Sequence, residues 1–140
     1  MRSFRKALSF LYLLAFLILI VGVQEITAQE GTVMDVIENS NEHTILTNLL
    51  HTSEYSRVLS EDGPYTVIAP TDKAFRSMDM NLEELKNNQE KAQDVVVEHL
   101  FEGEVAAQDA EVALNLTISQ ESITASNGIV HITSEVIGRD

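Results

Sequence analysis

Tyr65-Thr66-Val67-Ile68-Ala69-Pro70-Thr71-Asp72-Lys73-Ala74-Phe75 is the stretch on which the fold turns. Its first five residues are aromatic, β-branched or small, which is the composition of a buried strand. Pro70 has no backbone N–H to give a ladder and stops that strand. Thr71 or Asp72 can then supply a side-chain oxygen to the free N–H groups of a short helix. Phe75, inside that helix, packs it back onto the core. Just upstream, Gly63-Pro64 ends the preceding helix.

Outward from this junction, both flanks have readable periods. On the N-terminal side, Tyr55, Val58 and Leu59 make one helical turn. Residues 42–52 form a helix with Ile45, Leu46, Leu49 and Leu50 on one stripe. Thr32-Val33-Met34-Asp35-Val36-Ile37 reads as a short capped helix, with Thr32 as cap and Asp35 three residues on. On the C-terminal side, Asn81 followed by Glu84 starts a helix. A further helix runs from Asn87-Asn88 through Ala92, Val95 and Val96 to about Leu100. Val112, Leu114, Leu116 and Ile118 then alternate with Ala113, Asn115 and Thr117, a period of two that predicts a strand with Asn115 facing out. Ile123 belongs to a second strand. Asn127-Gly128 is a hairpin turn signal, expected to use positive φ angles, and residues 129–137 make the last strand. Helices, a strand, helices and then several strands predict an α+β domain: short N-terminal helices packed on a mostly antiparallel, twisted sheet.

The first 30 residues differ from the rest. Arg2, Arg5 and Lys6 precede an uncharged apolar run from Ala7 to Val23, and Ile26-Thr27-Ala28 ends in a small residue. That is the layout of a signal peptide over 1–28, the alternative being an uncleaved membrane anchor. Either way the domain, 29–140, is exported: secreted, extracellular or periplasmic, or held at the cell surface. The whole chain has 140 residues, 22 acidic and 9 basic, a formal charge of −13. Losing 1–28 removes three bases and one acid, leaving 21 acids, six bases and a charge of −15. Such a balance argues against nucleic acid as a partner, since phosphate binding needs clustered Lys and Arg. Zero cysteines exclude disulfides, thiolate metal sites and Cys nucleophiles. Export without cysteine points to a bacterial source.

Catalytic patterns are missing. The sequence holds no phosphate-binding glycine loop and no nucleophile elbow. Of the four histidines, His43 and His51 lie eight positions apart on one helical stretch and read as surface residues. His99 and His131 sit in apolar runs and read as neutral core histidines. The carboxylates form no calcium-loop pattern, so neither metal nor cofactor is expected. Asn115-Leu116-Thr117 is a glycosylation sequon, a weak signal at three residues.

Two motifs carry more. Gly63-Pro64-Tyr65 followed by Thr66-Val67-Ile68-Ala69-Pro70-Thr71-Asp72-Lys73-Ala74-Phe75 resembles the first signature of the fasciclin-like domain, G-P-(F/Y) before T-V-F-A-P-T-(N/D)-x-A-F. Ala125-Ser126-Asn127-Gly128-Ile129-Val130-His131-Ile132 resembles its second signature. Glu98-His99-Leu100 falls where the family has its central histidine motif, and residues 32–37 resemble its opening helix. The resemblance covers about residues 31–138. It implies the fasciclin-like β-wedge fold, and a non-catalytic adhesion or interaction module making cell–cell, cell–matrix or biofilm-type contacts. The partner it implies is a cell-surface or matrix protein, or a polysaccharide. A small-ligand or carbohydrate-binding envelope protein is the alternative, weakened by the absence of Trp. Thr66, Ala69, Pro70, Thr71, Asp72, Phe75, Asn127, Gly128 and His131 are expected to be scaffold, and His99, Leu100 and Phe101 to be the interaction residues. Adhesion-type members have Tyr before the central histidine. Glu98 stands there instead, so that members' integrin-binding activity does not carry over. The stretch from His99 to Asn127 is also about one hairpin shorter than in the family, which leaves a sheet edge open to a partner.

Overall fold

The computed structural model describes residues 31–138, so the export segment expected over 1–28 lies outside the described residues. The deciding stretch forms β1 (Tyr65–Pro70). With β2 (Leu100–Glu102), β3 (Ile118–Ala125) and β4 (Gly128–Thr133) it makes a four-stranded sheet in the order β2-β1-β4-β3. β1 pairs with β4 in parallel, from Tyr65 opposite Gly128 to Pro70 opposite Thr133. The two signature motifs are therefore neighbours, side by side at the centre of the sheet. The outer pairings, β1 with β2 and β3 with β4, are antiparallel.

The helices are α1 (Val33–Glu38), α2 (Thr44–Thr52), α3 (Tyr55–Val58), α4 (Asp72–Arg76), α5 (Leu82–Asn87), α6 (Gln89–Val97) and α7 (Ala107–Leu114). Their starts follow local chemistry. Thr32 and Asp35 make a reciprocal capping box on α1. Thr71 accepts from Ala74 N at 3.2 Å to cap α4. Asn81 and Asn88 cap α5 and α6 in the same way. Asp72, the other cap candidate, serves a different helix. It accepts from Thr44 Oγ1 at 2.6 Å and Ile45 N at 2.8 Å, which satisfies the start of α2 from outside. His43 precedes α2 and gives it no side-chain cap.

Alternation along β1 divides the interior in two. Val67 and Ala69 face the helices, in a core shared with Ile37, Leu46, Leu49, Leu50, Phe75, Val95, Val96 and Val130. Ile68 faces the other way, into a small cluster with Ala110 and Ile118, which Phe101, Val105 and Leu114 flank. The segment from Gly103 to Ile118 thus lies over the second face of the sheet as a flap.

Four expectations need correction. The strand expected over residues 112–118 is absent up to Ile118: residues 107–114 are helical, and Ile118 opens β3. Ala, Gln, Glu and Leu favour a helix there, and Ala107, Ala110 and Leu114 share its inner face at helical spacing. Val112, in phase only for a strand, is 85% exposed. Asn115 is exposed as expected, but as the left-handed C-cap of α7, at φ 50°. The β3–β4 turn exists, yet neither Asn127 nor Gly128 has positive φ. Gly128 is needed because an added Cβ would stand 1.9 Å from the Tyr65 carbonyl oxygen. The last strand stops at Thr133, after which the chain turns to bury Val136. Finally, His43 is not a surface residue. It is 3% exposed, its Nδ1 bonds Ser40 Oγ at 2.7 Å, and its Nε2 has no hydrogen-bond partner. Burial lowers its pKa, partly opposed by the nearby Ala69 backbone and by the Asp72 and Glu42 carboxylates. His51 is exposed and pairs with Glu38.

Candidate interaction surface around strand β2

Helix α6 delivers the chain to this surface. It buries Ala92, Val95 and Val96 and leaves Val97 43% exposed. Three successive valines cannot share one helical face, because each residue turns the next by about 100°. Val97 is the one turned out.

His99 follows and is fully buried. Its Nδ1 lies 2.8 Å from the Val95 carbonyl oxygen and its Nε2 lies 3.0 Å from the Ile137 backbone N. A carbonyl only accepts and an amide only donates, so Nδ1 carries the proton and Nε2 is bare. Burial lowers the pKa to about 4, against a smaller upward pull from the Val95 carbonyl. Its own carbonyl accepts from Ile68 N at 2.9 Å. His99 therefore ties α6, β1 and the C-terminal segment together, and offers no surface to a partner. Leu100 and Phe101, the other two expected interaction residues, are half-buried on opposite faces of β2. Leu100 packs on the main core and Phe101 on the small one.

Beside Leu100 lies a groove of about 200 Å³ bordered by Tyr55, Val58, Tyr65, Val97 and Glu102, which Phe101 also reaches. Val58 is 41% exposed, so α3 and α6 each contribute one outward valine. A neighbouring depression shares Tyr55 and Val58 and adds Glu54 and Glu61 against one cation, Arg57. From residue 92 to residue 138 the sequence contains eight carboxylates and no Lys or Arg. The sequence placed Val58 in a helical turn without marking it as outward, and did not single out Val97. The Val95-Val96-Val97 run was the available signal for the second of them.

The remaining motif residues point inward. Thr66 Oγ1 donates to Gly103 O at 2.6 Å and accepts from Val105 N at 2.9 Å. His131 Nε2 donates to Val105 O at 2.6 Å, and its Nδ1 accepts from Ser122 Oγ at 2.7 Å, the tautomer opposite to that of His99. Asn127 Nδ2 donates to Leu59 O at 2.9 Å and Glu61 O at 2.6 Å, while its Oδ1 accepts from Val33 N at 2.7 Å. Ala69, Pro70 and Phe75 are buried. Among the described residues no cluster of three or more His, Asp and Glu side chains could hold a metal ion. None of the described helices is long and apolar enough to cross a membrane.

Comparison with known proteins places this arrangement. The fasciclin domain family model matches residues 41–117, more than half of the chain. The chain is 26% identical over 135 residues to transforming growth factor-beta-induced protein ig-h3 of Oryctolagus cuniculus, covering 80% of this chain and 20% of that protein. It is 25% identical over 138 residues to protein sll1483 of Synechocystis, covering 81% of this chain and 77% of that one. Among solved structures, the FAS1 domain pair of the insect cell adhesion molecule fasciclin I matches with a TM-score of 0.60 at 14% identity. That match covers 76% of this chain and 50% of the pair. The chain thus spans a fifth of the Oryctolagus relative's length and half of the insect pair's.

Proposed function

The chain belongs to the fasciclin domain family, and from that premise we propose that it is a secreted or envelope-associated adhesion module, binding through its surface and not through catalysis. The family's presence in an insect cell adhesion molecule supports the general reading. One observation carries it to a place on this chain. Thr66, Asp72, His99, Asn127 and His131 all have their polar atoms engaged inside the fold, whereas the groove at Val58, Val97 and Leu100 leaves apolar surface open. Exposed apolar surface beside a sheet edge is where recognition is affordable without unfolding. This groove, at about 200 Å³, is smaller than the usual small-molecule site, which favours a macromolecular partner at this place. Export through the 1–28 segment belongs to the same reading, with a mature start near Gln29.

The test is retention of cells, or of the native matrix, on a surface coated with the protein. Retention should saturate with coating density and fall several-fold for a folded Val58→Ser, Val97→Ser double variant. Retention no better than on an inert protein coat would overturn the adhesion reading.

A further inference from the structure

We propose that the outer edge of β2, together with the adjoining groove, takes up an extended segment of a partner protein in which apolar side chains alternate with Lys or Arg. The proposal rests on the adhesion reading and names its partner class.

The edge comes first. Ile68 N donates to His99 O, and Gly103 N donates to Pro64 O at 2.8 Å, so residues 99 and 103 turn their backbone groups toward β1. Antiparallel pairing alternates, which turns Phe101 inward with them. Leu100 and Glu102 then present N–H and C=O outward, and among the described residues no strand pairs there. The opposite edge is different. β3 has a register shift between Ile118 and Ser122, and an irregularity of that kind spoils a strand as a template.

The groove comes second. A strand added to β2 would place alternate side chains on one face. That face adjoins Tyr55, Val58 and Val97, and the groove has room for one or two aliphatic side chains. Val58 and Val97 are two of the three exposed large hydrophobic residues among the described residues.

Charge selects the occupant. Glu102 stands on the edge itself, Glu54 and Glu61 lie beyond Val58 and outnumber Arg57 there, and no Lys or Arg occurs from residue 92 to residue 138. Complementary charge steers a cationic strand to this edge. A second copy of this chain, at −13, would be repelled.

The probe is a short fluorescein-labelled peptide alternating Val with Lys, titrated by anisotropy against the protein recovered from an exporting host. Two controls accompany it: the same peptide with Glu for Lys, and the Lys peptide N-methylated at the nitrogens that would face β2. The Lys peptide should saturate, and its amide chemical-shift changes should centre on Leu100–Glu102, Tyr55, Val58 and Val97. N-methylation, Val97→Ser and Glu102→Lys should each weaken it by about tenfold or more, with the far-UV spectrum of each variant unchanged. Both Val97 and Glu102 are exposed, so the variants should fold. Equal binding of the Glu peptide, or of the N-methylated one, would overturn the proposal. So would concentration-dependent dimers that Val97→Ser abolishes. Cell retention without peptide binding removes the strand site and leaves the adhesion reading standing. Peptide binding without retention supports the strand site and removes the adhesion reading.

Discussion

His99 shows how one side chain can be prominent in sequence and silent at the surface. It sits in the family's central motif, yet both ring nitrogens bond backbone groups inside the fold. That geometry has a consequence in acid. Burial lowers its pKa to about 4, while the unfolded chain protonates near the ordinary 6.5. Between those values the unfolded state binds more protons, so stability must fall as pH drops from about 6.5 toward 4. The loss over that window is about 3 kcal/mol for this group at most. His43, lowered by burial as well, adds in the same direction. Urea unfolding at neutral pH and at pH near 5 measures the slope. His99→Gln should be less stable at neutral pH and lose less on acidification; a slope identical to that of the parent would show that His99 does not carry it. Asn127 and Gly128 make the same point without titration. Their dipeptide reads as a turn, but the structure uses the amide to hold the 59–61 loop and α1. It uses the missing Cβ to let β4 start against Tyr65.

At the scale of elements, the strand at Tyr65–Pro70, the capped helix after it and the capped helix at 33–38 were legible because pattern and cap agree there, and the helix at 44–52 was legible from its apolar stripe alone. Residues 107–118 were not. Alternate apolar residues from Val112 to Ile118 fit a strand, while Ala107, Ala110 and Leu114 fit a helix, and burial against Ile68 decides for the helix. The parallel pairing of β1 with β4 was also hidden, since nothing local encodes which distant strand becomes a neighbour. The two readings of 107–118 make opposite predictions for one residue. Val112, outward on α7, should accept Lys with a change within about 0.5 kcal/mol. Leu114, on the inner face, should lose about 2 kcal/mol or more on replacement by Asp. Thermal melts of Val112→Lys and Leu114→Asp decide it; a strand would put both side chains on its inner face and make Val112→Lys as damaging as Leu114→Asp.

At the scale of the whole molecule, the two faces of the sheet are unequally supported. Among the described residues, nineteen buried apolar residues fill the helical side and three the flap side. With so little apolar burial, the flap is fastened mainly by polar latches. Thr66 holds Gly103 and Val105, His131 holds Val105, and Glu111 and Glu135 receive Ile118 N and Thr117 N. Units held this way open before the rest of a domain. The residues that look like motif therefore work as fasteners between the central strands and the flap. Thr66→Val keeps the side-chain volume and removes both hydroxyl bonds, leaving Val105 N without a partner in the fold. Native-state hydrogen exchange should then speed up at the amides of α7 and of Val105 by about tenfold or more, the equivalent of about 1.4 kcal/mol of local stability. Amides of α2 should change little because its burial lies on the other side of the sheet, and those of β1 and β4 because the ladder between them is left intact. A uniform acceleration across all helices would mean that the flap and the main core unfold as one unit, and the division into two cores would be structural only.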